Sequence, residues 1–533
     1  MISTSRITMR FGQDTLFEDV TVKFTPGNRY GLIGANGSGK STFMKILTGQ
    51  LESTHGEVFI EKDCTLGYLK QDHTEFDDFS IIDTVYMGNK KLWDLHLERE
   101  TLYSKLELTD EENERCGDIE EEFGAAGGYT MEADAAKLLA GLGFYEDLFH
   151  QPMNVLQGGF KLRVLLAQVL FGEPDILLMD EPTNHLDMES IEWLIGFLNK
   201  YKGTVVTISH DRFFLNRTST HIADLDYHEI RMFTGNYDDF IIANLEAREL
   251  MEKQNKKMEK RIHDLKTFIS RFSANASKAK QATSRQKELK NIELNDIKPS
   301  SRVSPYIRFS PKARLGKKVI IAENISKSYD KELFKDFSCE IGPAEKVAII
   351  GTNGVGKTTL LKILSGVLEP DSGSVIHGET VHLDLFPQEP TELLDMNMKA
   401  MEWLGTFADA DMDETQLRSF MGKMLFSRDD VFKDIKVLSG GEKSRLILAK
   451  MLMTGGNVLV LDEPTNHLDL ESIEALNYAL SLVKDTILFV SHDHRFVSTL
   501  ATRIIEVSEN QIIDYPGTIE DFEAWKRKQK KGK

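Results

Sequence analysis

One set of motifs, present twice and in the same order, constrains this chain more than any other feature it carries. Gly34-Ala35-Asn36-Gly37-Ser38-Gly39-Lys40-Ser41, followed by Thr42, has the spacing of a phosphate-binding loop. It stands between a strand pattern, Arg29-Tyr30-Gly31-Leu32-Ile33, and a helix pattern running through Leu47. The second copy, Gly351-Thr352-Asn353-Gly354-Val355-Gly356-Lys357-Thr358 with Thr359, follows Lys346-Val347-Ala348-Ile349-Ile350. Downstream, two apolar runs end in Asp-Glu-Pro-Thr-Asn-His-Leu-Asp, at Asp180 to Asp187 and Asp462 to Asp469. Ser209-His210-Asp211 and Ser491-His492-Asp493 each close a further apolar strand, and Phe11/Tyr329 and Gln71/Gln388 repeat in matching places. A duplication this complete predicts two homologous α/β nucleotide-binding domains.

The chemistry follows from those positions. Glycines let backbone N–H groups close around phosphates at a helix N-terminus, and Lys40 and Lys357 add a point charge for the β and γ phosphates of ATP. Ser41 and Thr358 are placed to ligate Mg²⁺ together with Asp180 and Asp462, which end buried strands beside the loop. Glu181 and Glu463 come next and are suited to polarising an attacking water, and His210 and His492 to sensing the γ-phosphate. Phe11 and Tyr329 are candidates to stack on adenine. This pattern predicts an ATP hydrolase with ATP and Mg²⁺ as its cofactors.

Between the two copies the charge changes sign. From Ile241 to Arg308 there are 16 basic and 8 acidic residues, a balance of +8, while the whole chain carries −19 and the remainder therefore −27. Met251, Met258, Ile262, Leu265 and Ile269 form a helical stripe, and after a break at Ser273-Ala274-Asn275 small and apolar residues resume at Ala276, Ala279, Ala282 and Leu289. That spacing predicts a helical hairpin whose first arm reaches roughly 40 Å. Around its turn lie Lys266, Arg271, Lys278, Lys280, Arg285, Lys287 and Lys290 with one acid, Glu288. A basic finger on an acidic body suits RNA contact; a solvated helical spacer is the plainer alternative.

The copies also differ in length. Gln71 and Leu156 are 85 residues apart, Gln388 and Leu438 only 50. The surplus falls near 88–123, where Leu92, Leu95, Leu102 and Leu106 predict an amphipathic helix and Glu107 to Glu122 holds nine acids and one arginine, Arg115. A basic tail, Lys526 to Lys533, closes the chain. The expected division is 1–240 for the first domain, 241–304 for the linker and 305–533 for the second. With 533 residues, 41% hydrophobic, no apolar run of membrane-spanning length and no apolar core at the N-terminus, a cytosolic protein is expected. Cys64, Cys116 and Cys339 lack metal-ligand spacing.

With these motifs in hand, both domains resemble ATP-binding cassettes (ABC), and the whole chain resembles the ABC-F family, most like its YbiT-like branch. The resemblance implies a signature segment opening a helix between the Gln and the Asp-Glu. Leu438-Ser439-Gly440-Gly441-Glu442 matches it fully; Leu156-Gln157-Gly158-Gly159-Phe160 departs, with Gln for Ser and Phe for the acid. It further implies that Gln71 and Gln388 join the Mg²⁺ ligands, and that each ATP is sandwiched between one loop and the other domain's signature. Lys40 would then pair with Ser439 and Lys357 with Gln157, giving unequal sites inside one monomer. Partners implied are the 70S ribosome at its E site, with the linker approaching P-site tRNA and 23S rRNA and the insertion, like the family's arm, facing the L1 stalk. A DNA-directed ABC protein, a transporter ATPase subunit with a separate permease, and a non-catalytic binding module are the competing readings.

Overall fold

The computed structural model describes residues 1–12, 14–69, 74–272, 279–290, 302–329, 331–508 and 511–531. Each half builds a six-stranded, mostly parallel sheet of the same strand order. In the first half the order is Glu229–Thr234, His221–Asp226, Arg29–Ile33, Thr204–Ile208, Ile176–Asp180, Leu66–Tyr68. In the second it is Gln511–Pro516, Arg503–Ser508, Lys346–Ile350, Thr486–Val490, Val458–Asp462, Leu383–Phe386. The central strands are short and apolar on both faces, as strands buried between helices must be; every residue of Ile176–Asp180, Thr204–Ile208, Val458–Asp462 and Thr486–Val490 is buried. A smaller antiparallel sheet, built on Ile2–Phe11 in one half and Ile320–Ser328 in the other, covers the phosphate-loop side of each domain.

Parallel strands deliver their carboxyl ends to one edge, and that edge is where such sheets bind ligands. Both phosphate loops, both Asp-Glu pairs and both Ser-His-Asp turns stand there. The register is the same twice: Asp180 lies opposite Ile208 and Asp462 opposite Val490. At Gly39 and Gly356, which cap the loop helices Lys40–Leu47 and Lys357–Leu364, φ is 101° and 103°, a left-handed conformation that glycine takes without strain.

The excess length of the first half forms two packed helices, Lys90–Tyr103 and Asp110–Ala125. Leu92, Leu95 and Leu102 are buried as the spacing predicts, but Leu106 lies beyond the helix end and is fully exposed. The pair is tied by Arg99–Glu120, Arg115–Glu98 and Lys105–Glu112.

The linker leaves as one continuous helix, Tyr237–Phe272, that starts inside the first sheet domain and meets Ala279–Lys290. Its 36 residues span roughly 54 Å at 1.5 Å per residue, longer than the sequence spacing predicts, because the last residues of the domain already belong to it. Leu265 is buried, and Met258, Ile262 and Ile269 are half-buried, whereas Met251 is 44% exposed.

The halves are in contact. Leu470, the first residue of a second-half helix, is buried among Ile33, Tyr237 and Phe240 of the first half. Met188, its counterpart, packs on the cluster containing Ile519 and Phe522. Among the described residues no helix is long and apolar enough to cross a membrane.

Candidate functional site

In the second half the sequence-predicted residues converge on one cavity of about 750 Å³. Its walls include Asn353, Gly354, Gly356, Lys357, Thr358, Thr359, Tyr329, Gln388, Glu463 and His492, together with Gln157, Gly158, Gly159 and Phe160 from the other half. A phosphate loop and the opposite half's signature thus share one site. The contact is direct: Asn353 donates from Nδ2 to the His185 carbonyl at 2.7 Å and from its backbone N–H to Asp187 at 3.3 Å. On the other side, a Cβ placed on Gly441 would lie 3.2 Å from Asn36 Nδ2, so the first loop also approaches the second signature.

The two lysines are buried and turned onto their own loops. Lys40 donates to Gly34 O at 2.7 Å and Ala35 O at 3.1 Å; Lys357 donates to Gly351 O at 3.0 Å and Thr352 O at 2.9 Å. Burial lowers both ammonium pKa values, Lys357 to about 8, against the pull of the Asp-Glu carboxylates. Thr358 donates to Asp462 at 3.1 Å, and Ser41 likewise bonds Asp180.

The Asp-Glu turns hold their glutamates in a left-handed backbone, φ 51° at Glu181 and 46° at Glu463, which a non-glycine residue adopts only when its surroundings enforce it. Each glutamate accepts the backbone N–H of its histidine at 3.2 Å. Ring Nε2 stands 3.5 Å from Glu181 in the pair with His210 and 3.2 Å from Glu463 in the pair with His492. Burial raises the glutamates, to about 8 for Glu181 and about 7 for Glu463, and lowers the histidines, so the imidazoles are neutral.

Glu181 Oε1, Glu463 Oε1, Asp462 Oδ2, His210 Nδ1 and Ser38 Oγ are buried without a hydrogen-bond partner. Buried polar atoms in native structures are nearly always satisfied. Their concentration at the loop edge, beside buried lysines and glycines that admit close approach, fits a nucleoside triphosphate with a divalent cation.

The two signatures differ physically. Ser439 caps Gly440–Thr454 with a capping box: its hydroxyl accepts from Glu442 N–H at 3.3 Å and its own N–H bonds Glu442 Oε2 at 2.8 Å. Gln157 opens Gly158–Phe171 with no side-chain cap. Phe160, in place of the acid, lies under the Arg163 guanidinium at 4.7 Å. Arg163 in turn donates to the His185 carbonyl at 3.0 Å, clamping the altered signature to the turn that Asn353 touches.

Phe11 and Tyr329 sit at their strand ends, 55% and 63% exposed, and only Tyr329 lines the cavity described. Gln71 and Lys278 lie outside the described residues, as do the side chains of Arg271, Lys280 and Lys290. Lys266 and Lys287 are exposed on the linker, while Arg285 pairs with Glu288 at 2.7 Å, a carboxylate that also takes Arg261.

Residues outside the predicted site set, with the two aspartates of the Ser-His-Asp turns, build the seam between halves. Phe213 stacks on His494 at 4.7 Å, and Arg212 bridges Asp238 and Glu474. Asp211 and Asp493 cap the flanking helices and face one another; burial, then Asp493, pushes Asp211 up to about 7. An unfolded aspartate loses its proton near pH 4. The folded chain therefore binds the extra proton between about pH 4 and 7, and stability from this group is complete below that range and lost across it. Asp211→Asn, which can still accept from Phe214 N–H, is expected to shrink the loss of thermal stability between pH 5 and 8 by at least about 1 kcal/mol. Melting scans of both forms across that range check it; unchanged pH dependence refutes the assignment.

A family model described as "ABC transporter" matches residues 17–184 and 334–466, and a second with that description matches 223–309. "Probable ATP-binding protein YbiT" of Escherichia coli O157:H7 is 48% identical over 98% of this chain and 99% of its own. "ABC transporter F family member 5" of Arabidopsis thaliana is 34% identical over 94% of this chain and 74% of its own. Among solved structures, ABCE1 in "Model of ribosome-bound archaeal Pelota and ABCE1" superposes with a TM-score of 0.60, covering 98% of this chain and 80% of that one at 19% identity. That last likeness carries the fold alone.

Proposed function

The chain belongs to the ABC-F family of ATP-binding cassette proteins, on its YbiT-like branch, and is an ATP hydrolase; from that premise we propose that it is a cytoplasmic translation factor acting at the E site of the 70S ribosome. The observation that carries this reading is a basic helical hairpin whose root is locked between two cassettes. Tyr237 and Phe240, at the start of the linker helix, share one apolar cluster with Ile33 of the first loop strand and Leu470 of the second cassette. Closing the cassettes on ATP then fixes where the hairpin points.

Two ATP molecules join the cassettes, one between Lys40 and Ser439 and one between Lys357 and Gln157. Ser41 with Asp180, and Thr358 with Asp462, would hold Mg²⁺, joined by Gln71 and Gln388; the ion neutralises phosphate charge when bound. Glu181 and Glu463 orient and polarise the attacking water, and neutral His210 and His492 face the terminal phosphate. Hydrolysis removes the bond between halves and releases the hairpin. Lys266, Arg271, Lys278, Lys280, Arg285, Lys287 and Lys290 contact the phosphates of P-site tRNA and 23S rRNA, reading RNA shape rather than sequence. The acidic insertion faces the L1 stalk.

The test is co-sedimentation of a Glu181→Gln, Glu463→Gln double variant with 70S ribosomes in the presence of ATP. Trapping the closed clamp is expected to place it in the pellet, and neutralising Lys266, Lys278, Lys280 and Arg285 to return it to the supernatant. Because such contacts release counterions, binding falls with salt at a slope of roughly −0.7 to −0.9 per phosphate contact, and the four substitutions flatten that slope. A trapped variant that stays in the supernatant, or that pellets equally without those cations, overturns the ribosomal assignment.

A further inference from the structure

Where the chain returns from the linker, Arg302 sits at the junction of three parts of the molecule. Its guanidinium lies over the Phe240 ring at 5.2 Å, on the first turn of the linker helix. It pairs with Asp224, on the strand beside the first phosphate-loop strand, where Asp224 stands opposite Ile33. It also approaches Glu471 of the second cassette at 3.5 Å. The arginine is 11% exposed and Glu471 16%, so this is a largely dehydrated cluster.

The duplication shows that the place is built. At the matching position of the second cassette, 282 residues after Asp224, Glu506 pairs with Lys526 at 2.5 Å, and the Lys526 ammonium lies over Phe522, the counterpart of Phe240, at 5.5 Å. Both halves put a cation on the same aromatic ring against the same carboxylate. In the second half the closing helix supplies it. In the first half it comes from the far end of the linker and reaches across to the other cassette as well.

Glu471 matters because of what it faces. It directly follows Leu470, which is buried against Ile33 at the end of the strand Arg29–Ile33 that leads into the first phosphate loop, so its carboxylate stands beside that loop. An uncompensated carboxylate beside that loop repels a triphosphate; paired with Arg302, its charge is offset. We infer that Arg302 is a positioning residue for the first ATP site: it neutralises Glu471 at the cassette seam while holding the linker root, so that closure over ATP and the placement of the linker are one event.

Steady-state hydrolysis by the full chain tests this without any ribosome. Arg302→Gln is expected to raise KM for ATP about ten-fold with kcat changed less than about two-fold, since one partner of a buried pair has been removed. Arg302→Lys is expected to recover most of that affinity. The deciding variant is Arg302→Gln with Glu471→Gln, which removes the repelling charge and returns KM to within about two-fold of wild type. If Arg302→Gln leaves KM unchanged, or if the double variant is no better than the single one, the inference is overturned. A loss that Glu471→Gln cannot rescue is what a merely structural arginine would give.

Discussion

Glu181→Gln is expected to remove nearly all steady-state ATP hydrolysis, on the order of 10²- to 10³-fold in kcat, whereas Glu463→Gln is expected to reduce it less than about three-fold. The two glutamates are chemically alike in this fold. Each directly follows a buried strand, each is held at positive φ, and each accepts its histidine's N–H at 3.2 Å. The difference lies across the seam. Glu181 serves the site that Ser439 completes, with a hydroxyl already seated at a helix N-terminus. Glu463 serves the site that Gln157 completes, where the signature offers no hydroxyl and its helix start is uncapped. Transition-state charge on the γ-phosphate is stabilised by donors already in place, and removal of one such donor costs about 3–4 kcal/mol. Turnover is therefore expected to run mainly through the first site, with the second contributing less to kcat. Single-variant ATPase assays at saturating ATP decide this; equal losses from both substitutions would mean that the altered signature is as competent as the intact one.

Much of this was legible in the chain before its fold was described, and the reason is physical. A phosphate loop, a strand-ending carboxylate and a histidine after the next strand are each fixed by local geometry. The motif order that places Lys40 near Asp180 in one half reappears at Lys357 and Asp462, although the insertion makes the separations unequal. The asymmetry of the signatures was equally open to view, because a capping serine and a glutamate three residues on are a local pattern. The seam was not. Leu470 reads as an ordinary first-turn leucine and Asp211 and Asp493 as ordinary caps; only the cross-cassette packing shows what they face. Arg302 carries no motif at all, and its position over Phe240 follows from where a long excursion happens to return. The misjudged linker length has the same origin: periodicity locates an apolar stripe, whereas a helix can begin before its stripe does. Leu106 fails in the opposite sense, continuing a spacing past the residue where the helix stops.

The signatures supply the second large effect, in both directions. Ser439→Gln with Glu442→Phe gives the intact signature the two residues of the altered one, and it is expected to lower kcat on the order of 10²-fold, because the signature hydroxyl offered to the γ-phosphate is lost. The reverse change, Gln157→Ser with Phe160→Glu, rebuilds a capping box on Gly158–Phe171. It also removes the ring beneath Arg163, which is 3% exposed and donates to the His185 carbonyl at 3.0 Å and the Leu142 carbonyl at 3.2 Å. Those backbone bonds do not depend on Phe160, so the arginine keeps its place, and the new glutamate can take over the charge that the aromatic face met. The expected result is a second active site: total kcat rises up to about two-fold, and Glu463→Gln removes a clearly larger share of the activity than it does in the parent. Arg163 makes the comparison sharp, since it links the signature to His185, whose carbonyl also receives Asn353 of the opposite loop. If the reverse pair leaves Glu463 dispensable, the deficit of the second site lies in that clamp and not in the missing hydroxyl, and the role assigned to Gln157 is wrong.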